Sequence, residues 1–222
     1  SAIDGTERAQ IQECAPDGSP VDAFALLPPG PGPALIDSVL PREATVLELG
    51  CGAGRLLAPL VAAGHTCAGV DQSPEMLARA PAGIETHLAD IETVDLTPRR
   101  FDAAVLASFL VNTPDGDRRR AYLASARRHS DVVVVQRLDP ELVPGAVDAV
   151  SEEDGVRYEM AGVRHTGDLF AATMRFTIDG TTFEHHYEGL VLDDTSFAAT
   201  VATIGLRVDR YLDGQRTWAV LR

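Results

Sequence analysis

The chain has 222 residues, 45% of them hydrophobic and 23% charged, which suits one globular α/β domain and excludes global disorder, collagen and coiled coil. Acidic residues number 33 against 19 basic ones, all of them Arg, for a formal charge of -14. So acidic a chain lacks the basic footprint that neutralises a phosphate backbone, and no nucleic-acid partner is expected.

The first thirty residues read as polar and irregular, with a short helix over Val21–Leu27 and a Pro/Gly loop from Pro28 to Pro33. A second helix is expected over Ala34–Leu40, stopped by Pro41. Then apolar runs alternate with helical stretches. Strands are predicted at Thr45–Leu49, Thr66–Val70, Ile84–Ala89, Phe101–Ala107 and Val132–Leu138. Helices are predicted at Gly54–Ala63, at Pro74–Ala80 behind the N-cap Ser73, and at Gly116–His129. Arg118, Arg119, Arg120, Arg127 and Arg128 in the last of these read as a solvated helix face. Strand–helix alternation of this kind implies a parallel sheet with helices on both faces.

After Pro140 the pattern changes. A helix is expected to run to about Val150, followed by three strand-like stretches, Val156–His165, Asp168–Ile178 and Thr182–Leu192. Thr166-Gly167 and Asp179-Gly180 between them are hairpin signals, so the region reads as an antiparallel meander. A last helix, Asp194–Ile204, precedes Leu206–Tyr211 and Thr217–Leu221, a hairpin expected to close the main sheet. The aromatic share is only 5%, so aliphatic side chains must build most of the core.

The three cysteines, Cys14, Cys51 and Cys67, form no CxxC pair and are odd in number. They argue against a disulfide framework or zinc cluster and for a reducing cytoplasm. No stretch is apolar for long enough to span a bilayer, and the first residues are too polar for a signal peptide, so no membrane role is expected. Opening on Ser1, without Met, suggests a processed start.

The sharpest feature is Glu48-Leu49-Gly50-Cys51-Gly52-Ala53-Gly54 behind the first strand. Such glycines let the backbone turn tightly and approach a ligand closely. The dinucleotide fingerprint needs G-x-G-x-x-G, but here the third glycine comes one residue early and Arg55 follows. A pyrophosphate wants a bare helix N-terminus, whereas a ligand with a cationic amino-acid end benefits from a carboxylate such as Glu48. Asp71 closes the second strand, where a carboxylate can accept both hydroxyl hydrogens of a ribose. Asp90 closes the third, within reach of an adenine amino group. Three acids at three successive strand ends line one edge of the sheet.

These motifs, with G-V-D-Q-S-P-E-M-L (Gly69–Leu77), L-A-D-I (Leu88–Ile91) and F-D-A-A-V-L-A-S-F (Phe101–Phe109), resemble class I S-adenosylmethionine-dependent methyltransferases of the small-molecule type, over Thr45 to Leu138. The resemblance implies a doubly wound, seven-stranded, mostly parallel sheet, the Rossmann-like methyltransferase fold, with the antiparallel meander as an insertion. It implies that Gly50, Cys51, Gly52 and Gly54 pass under the methionine part of S-adenosylmethionine and that Asp71 holds the ribose. Gln72 and Met76 would flank the adenine, Ala89, Asp90 and Ile91 would contact its edge and face, and Ala107, Ser108 and Phe109 would line the methyl end. Phe24 would fold over the cofactor as part of an N-terminal lid. Four regions follow: 1–40 as lid, 41–150 as cofactor-binding core, 151–192 as a roof over the acceptor pocket, and 193–222 as the last helix and closing hairpin.

No N-P-P-Y or D-P-P-Y follows the fourth strand, where Ala107-Ser108-Phe109-Leu110-Val111-Asn112 stands instead. Methylation of a base amino group or a glutamine amide is therefore disfavoured, and the expected partner is a small-molecule acceptor, methylated at N or O, in specialised metabolism. The expected assembly is a monomer or a homodimer. No acid spacing demands a metal. In the third meander run, alternation places Phe183, His185 and Tyr187 on one face and Glu184, His186 and Glu188 on the other. An imidazole titrates near neutrality, so His185 and His186 are the candidate bases, with Tyr158 and His165 behind them. Packing or surface roles for both histidines stay open. So do two other functions: a non-catalytic or repurposed cofactor-binding protein, and, with weaker support, a nicotinamide-dependent oxidoreductase.

Overall fold

The computed structural model describes residues 12–222, and the first eleven residues of the expected lid lie outside them. Two sheets form. The larger has seven strands in the order β10-β11-β5-β4-β1-β2-β3. Here β1 is Thr45–Leu49, β2 Thr66–Asp71, β3 Ile84–Leu88, β4 Ala103–Leu106, β5 Val133–Gln136, β10 Val208–Tyr211 and β11 Trp218–Leu221. The first five run parallel, and β11 joins antiparallel to β5 with Trp218 opposite Gln136. The β10–β11 hairpin therefore closes the sheet as the sequence implied.

Helices cover both faces because the central strands are apolar on both. Leu47, Leu49, Ala104 and Leu106 face α5 (Gly116–His129) and α6 (Asp194–Ala202), where Leu123 and Phe197 are fully buried. Val46, Val105 and Val134 face the other way, onto α2 (Gly32–Asp37) and α3 (Leu57–Ala62). Two short helices, α1 (Val21–Leu26) and α4 (Pro74–Leu77), lie over the carboxyl end of the sheet near the glycine loop. Helix α3 begins at Leu57 and not at Gly54, because Gly54 has φ +77° and cannot take a helical turn. Helix α4 stops before Ala80, ahead of Pro81.

The second sheet has four strands, β6 (Ala149–Glu153), β7 (Val156–Thr166), β8 (Leu169–Ile178) and β9 (Thr181–Leu190), in sequential antiparallel order. The helix expected up to Val150 does not form. Pro144 and Gly145 allow only a 3₁₀ turn at Val143–Gly145, and Ala149–Glu153 pairs with Val156–Met160 instead. The hinge of that pairing is Asp154-Gly155, whose φ values of +50° and +78° match those of Asp179-Gly180, +49° and +77°. Two residues with positive φ form the tight turn that suits strand twist, and Asp-Gly is the pair that adopts it most readily.

Two buried polar residues tie the layers together. Asn112 donates to the carbonyl of Leu190 and accepts from the amide of Leu138, both at 2.8 Å, so it joins the ends of β9 and β5. Arg137, with no exposed surface, donates to the carbonyls of Arg216 (2.8 Å) and Leu192 (3.1 Å) and pairs with Asp194. Its guanidinium also lies over the rings of Phe197 and Tyr211.

His129 ends α5 with no exposed surface; its Nδ1 meets the Ser125 carbonyl at 2.7 Å and its Nε2 accepts from the Leu96 amide at 3.0 Å. Burial holds this imidazole below its usual value of 6.5. The folded chain thus keeps His129 neutral where the unfolded chain takes up a proton, so stability falls as pH drops below that value. Urea midpoints are expected to fall between pH 7 and pH 5, and His129→Gln is expected to flatten part of that slope.

Candidate active site

Strand β1 delivers the chain into a loop whose three glycines all lie in the left-handed region, with φ +79° at Gly50, +52° at Gly52 and +77° at Gly54. The loop is held from below, where the amides of Gly50 and Cys51 both donate to the Val70 carbonyl, at 2.7 and 3.0 Å. It is also held from the side, where the Gly52 amide donates to Asp71 Oδ2 at 2.8 Å. A Cβ built on Gly50 would meet Leu110 at 2.7 Å and Ile91 at 3.1 Å; one on Gly52 would meet only Met76 Sδ, at 3.7 Å. Cys51 is a packing residue: its Sγ lies 2.5 Å from where a Gly69 Cβ would stand, and burial with nearby Glu48 pushes its thiol well up, away from nucleophilic use.

Glu48 and Asp71 meet this loop, and Asp90 follows the end of β3 on the same edge of the sheet. Glu48 is 3% exposed and its Oε2 has no hydrogen-bond partner. Burial pushes its carboxyl up to about 8, with Asp71 adding to the shift and Arg55 opposing it. Asp71 is half-buried. Oδ1 takes the Ser73 amide at 2.9 Å and Oδ2 the Gly52 amide, which leaves each oxygen a further lone pair for a ligand hydroxyl. Burial raises its carboxyl, and the backbone amides pull it back. Asp90 is exposed; its Oδ1 accepts from the Glu92 amide at 2.7 Å. Gln72 is exposed beside Asp71, while Ala89 and Ile91 are half-buried.

Met76 is buried with Ala15, Val21 and Ala53, and Phe24 packs on the same cluster. Phe24 also meets Phe176 and His185 edge-on, at 6.2 and 5.9 Å between ring centres. Helix α1 is thus wedged between the glycine loop and the inner face of the second sheet.

Beyond β4 the chain makes a strained turn. Ser108 and Phe109, neither a glycine, have φ +52° and +60°. Two consecutive side chains in this region cost energy that the surroundings must offset. Here the Ser108 amide donates to Gln136 Oε1 at 2.9 Å, and the Phe109 carbonyl accepts from Asn112 at 2.8 Å. The turn aims Phe109 into a cavity of about 400 Å³ at the carboxyl ends of β4 and β5. Arg55, Gln136, Glu153, Asp154, Tyr158 and Trp218 line the rest, and the Pro28–Gly32 loop closes one side. Arg55 donates to the Pro28 carbonyl at 2.8 Å and lies within charge reach of Glu48, so the cavity adjoins the glycine loop.

The candidate bases are separated by the fold. Tyr158 lines the cavity, with its phenol raised by burial and by Glu153. His185 sits behind Phe24, Nδ1 at 3.3 Å from the Gly18 carbonyl. His186 points the other way: its side chain is 78% exposed and meets Thr173 Oγ1 at 2.9 Å, outside the group around the loop. His165 bonds the Ala146 carbonyl at 3.0 Å, and Tyr187 is a buried phenol packed on Phe109 and Phe170 whose hydroxyl has no partner. Arg55, Gln136, Glu153, Asp154 and Trp218 were not singled out as site residues from sequence. Only the Arg directly after the third glycine carried a local signal.

Among the described residues no cluster of His, Cys, Asp and Glu could hold a metal ion, and no helix is long and apolar enough to cross a membrane.

This strand order and the glycine loop with Glu48 and Asp71 beside it form a Rossmann-like methyltransferase architecture, and the donor set fits S-adenosylmethionine. Residues 46–131 match the family model for a methyltransferase domain, which supports the reading as a class I S-adenosylmethionine-dependent methyltransferase. No curated protein matches it. Among solved structures it is similar to the CcbJ methyltransferase from Streptomyces caelestis, with 21% identity, TM-score 0.72, and coverage of 91% of this chain and 95% of that one. It is also similar to the sugar N-methyltransferase KedS8 from Streptoalloteichus, with 20% identity, TM-score 0.66, and coverage of 100% and 96%. A third is CalS10, an amino pentose methyltransferase from Micromonospora echinaspora involved in calicheamicin biosynthesis, with 21% identity, TM-score 0.65, and coverage of 85% and 87%.

Proposed function

We propose that this chain transfers a methyl group from S-adenosylmethionine to a nitrogen or oxygen of a small molecule in specialised metabolism. The observation that carries the reading is the preformed loop with Glu48 and Asp71 against it, beside a cavity of about 400 Å³. The sugar N-methylation ascribed to KedS8 and the amino pentose acceptor of CalS10 are consistent with it. Free Cys51 and Cys67, both buried, suit a reducing compartment such as the cytoplasm.

When bound, S-adenosylmethionine supplies an activated methyl: the acceptor lone pair forms the new bond to that carbon, and the carbon–sulfur pair stays with the departing thioether. The protein's share is positioning and exclusion of water, which can lower a barrier by roughly 7–11 kcal/mol. Asp71 accepts from the ribose hydroxyls, Met76 and Ile91 flank the adenine, and Phe24 covers the pocket. Phe109 and Tyr158 hold the acceptor against the methyl end. Tyr158 lines the cavity and His185 stands behind Phe24, so Tyr158 orients the acceptor, and a base is needed only for an acceptor that arrives protonated. Incubation with methyl-labelled cofactor and a library of small amines and alcohols is expected to yield labelled product and S-adenosylhomocysteine. Failure of calorimetry to detect S-adenosylhomocysteine binding at millimolar concentration would remove the reading.

Glu48 gives that binding a pH signature. A cation at the amino-acid end of the cofactor favours the ionised carboxyl, and burial keeps Glu48 protonated until pH approaches about 8. Binding therefore releases a proton, and affinity rises as pH climbs toward that value. Titrations in buffers of different ionisation heat are expected to show the release in the wild type, and Glu48→Gln is expected to abolish it.

A further inference from the structure

Arg55 directly follows the third glycine of the loop, and it is the one cation among the residues that line the cavity next to it. Its guanidinium is fixed at one point, where it donates to the Pro28 carbonyl at 2.8 Å. A guanidinium carries five N–H groups, so most of this one is left for a ligand. The neighbouring Pro28, Pro29 and Pro31 have no amide hydrogen to offer beside it. No carboxylate lies within ion-pair distance of Arg55 among the described residues, although burial works against its charge. The opposite charge that acts on it most is Glu48, which is 3% exposed and has Oε2 without a partner. A buried acid and a largely buried base, within charge reach but unpaired, complement a group that carries both charges.

We infer that Arg55 is the specificity-determining residue for the amino-acid tail of the cofactor, taking its carboxylate while Glu48 takes its ammonium. The inference rests on the proposed function and deepens it, because it says which adenosyl thioethers the site rejects. A zwitterionic tail satisfies both groups at once. A tail that keeps the amine and lacks the carboxylate brings a second cation to an uncompensated Arg55, and like charges repel. The planar fork of Arg matches a carboxylate through two parallel hydrogen bonds, which the single ammonium of Lys cannot copy. The bond to Pro28 holds that fork in place before the tail arrives.

The test is calorimetric and uses three ligands: S-adenosylhomocysteine, its decarboxylated analogue, and methylthioadenosine, which has no tail. The wild type is expected to bind S-adenosylhomocysteine at least about tenfold more tightly than the decarboxylated analogue. In Arg55→Gln that ratio is expected to fall close to unity, and Arg55→Lys is expected to regain part of it. Methylthioadenosine is expected to bind all three proteins alike, since it touches neither end of the pair. A wild-type ratio below about tenfold, or one that persists in Arg55→Gln, overturns the inference. Loss of methylthioadenosine binding in Arg55→Gln overturns it too, by making Arg55 a support of the nucleoside site. The wild-type titrations need no variant, and they separate the two levels. Binding of S-adenosylhomocysteine with a flat ratio sinks the inference alone, and no binding sinks the methyltransferase reading with it.

Discussion

Replacing Asp71 by Asn is expected to weaken S-adenosylhomocysteine binding by at least about a hundredfold, with the fold intact by circular dichroism. Asp71 does two jobs at once. It holds the Gly52 and Ser73 amides at 2.8 and 2.9 Å, and in the proposed site its remaining lone pairs would accept the ribose hydroxyls. Hydrogen bonds to a charged group contribute roughly 1.5–3 kcal/mol each, so removing one outright and the charge from the other lowers affinity by about two orders of magnitude. Asn keeps one acceptor oxygen and points an NH₂ group at one of the two amides, which adds repulsion. Calorimetry measures the change, and a loss below about fivefold would mean that Asp71 only shapes the turn.

The second large effect is on stability. Arg137→Met is expected to destabilise the chain by about 3–5 kcal/mol, because it strands the Leu192 and Arg216 carbonyls and leaves Asp194 with only Arg216 and Tyr211 as partners. For a chain of this size the melting temperature should drop by about 10 °C. Asp194→Asn should cost only about 1 kcal/mol, since Asp194 is 41% exposed and Arg137 keeps both carbonyls. Equal losses in the two variants would show that the ion pair, and not the carbonyl clamp, matters. The clamp's position explains the size of the effect: it fastens the end of β5 to the segment through which the chain returns from the second sheet.

The parts of the fold written in local pattern were readable from sequence. Thr45–Leu49 and Gly116–His129 form with the expected ends, the strand because it is a short apolar run halted by glycine. The helix is held by Asp115, which caps it through the Asp117 and Arg118 amides. After Pro140, only the stretch up to Glu153 departs from the expectation, because Ala149–Glu153 is exposed throughout and carries no alternation. Its strand state comes from its partner and from Asp154-Gly155, a dipeptide of the same type as the Asp179-Gly180 that was recognised. The glycine loop and the acids proposed for the cofactor side were visible in the sequence because they follow strand ends in order. The acceptor side was not: residues 28–32, 55, 109, 136, 153–158 and 218 are brought together only by sheet order and by the folding back of the insertion. The opposite-face reading of His185 and His186 followed from a period of two, and the structure places His186 out in solvent.

The glycine loop has one more consequence. Its curvature is set by the Val70 carbonyl and by Asp71, both part of the folded chain before any ligand arrives. The ordering entropy of that segment is spent during folding and not during capture. Nucleoside entry therefore requires no slow rearrangement of the cradle, and product discharge is governed by contacts broken rather than by a loop that must first unwind.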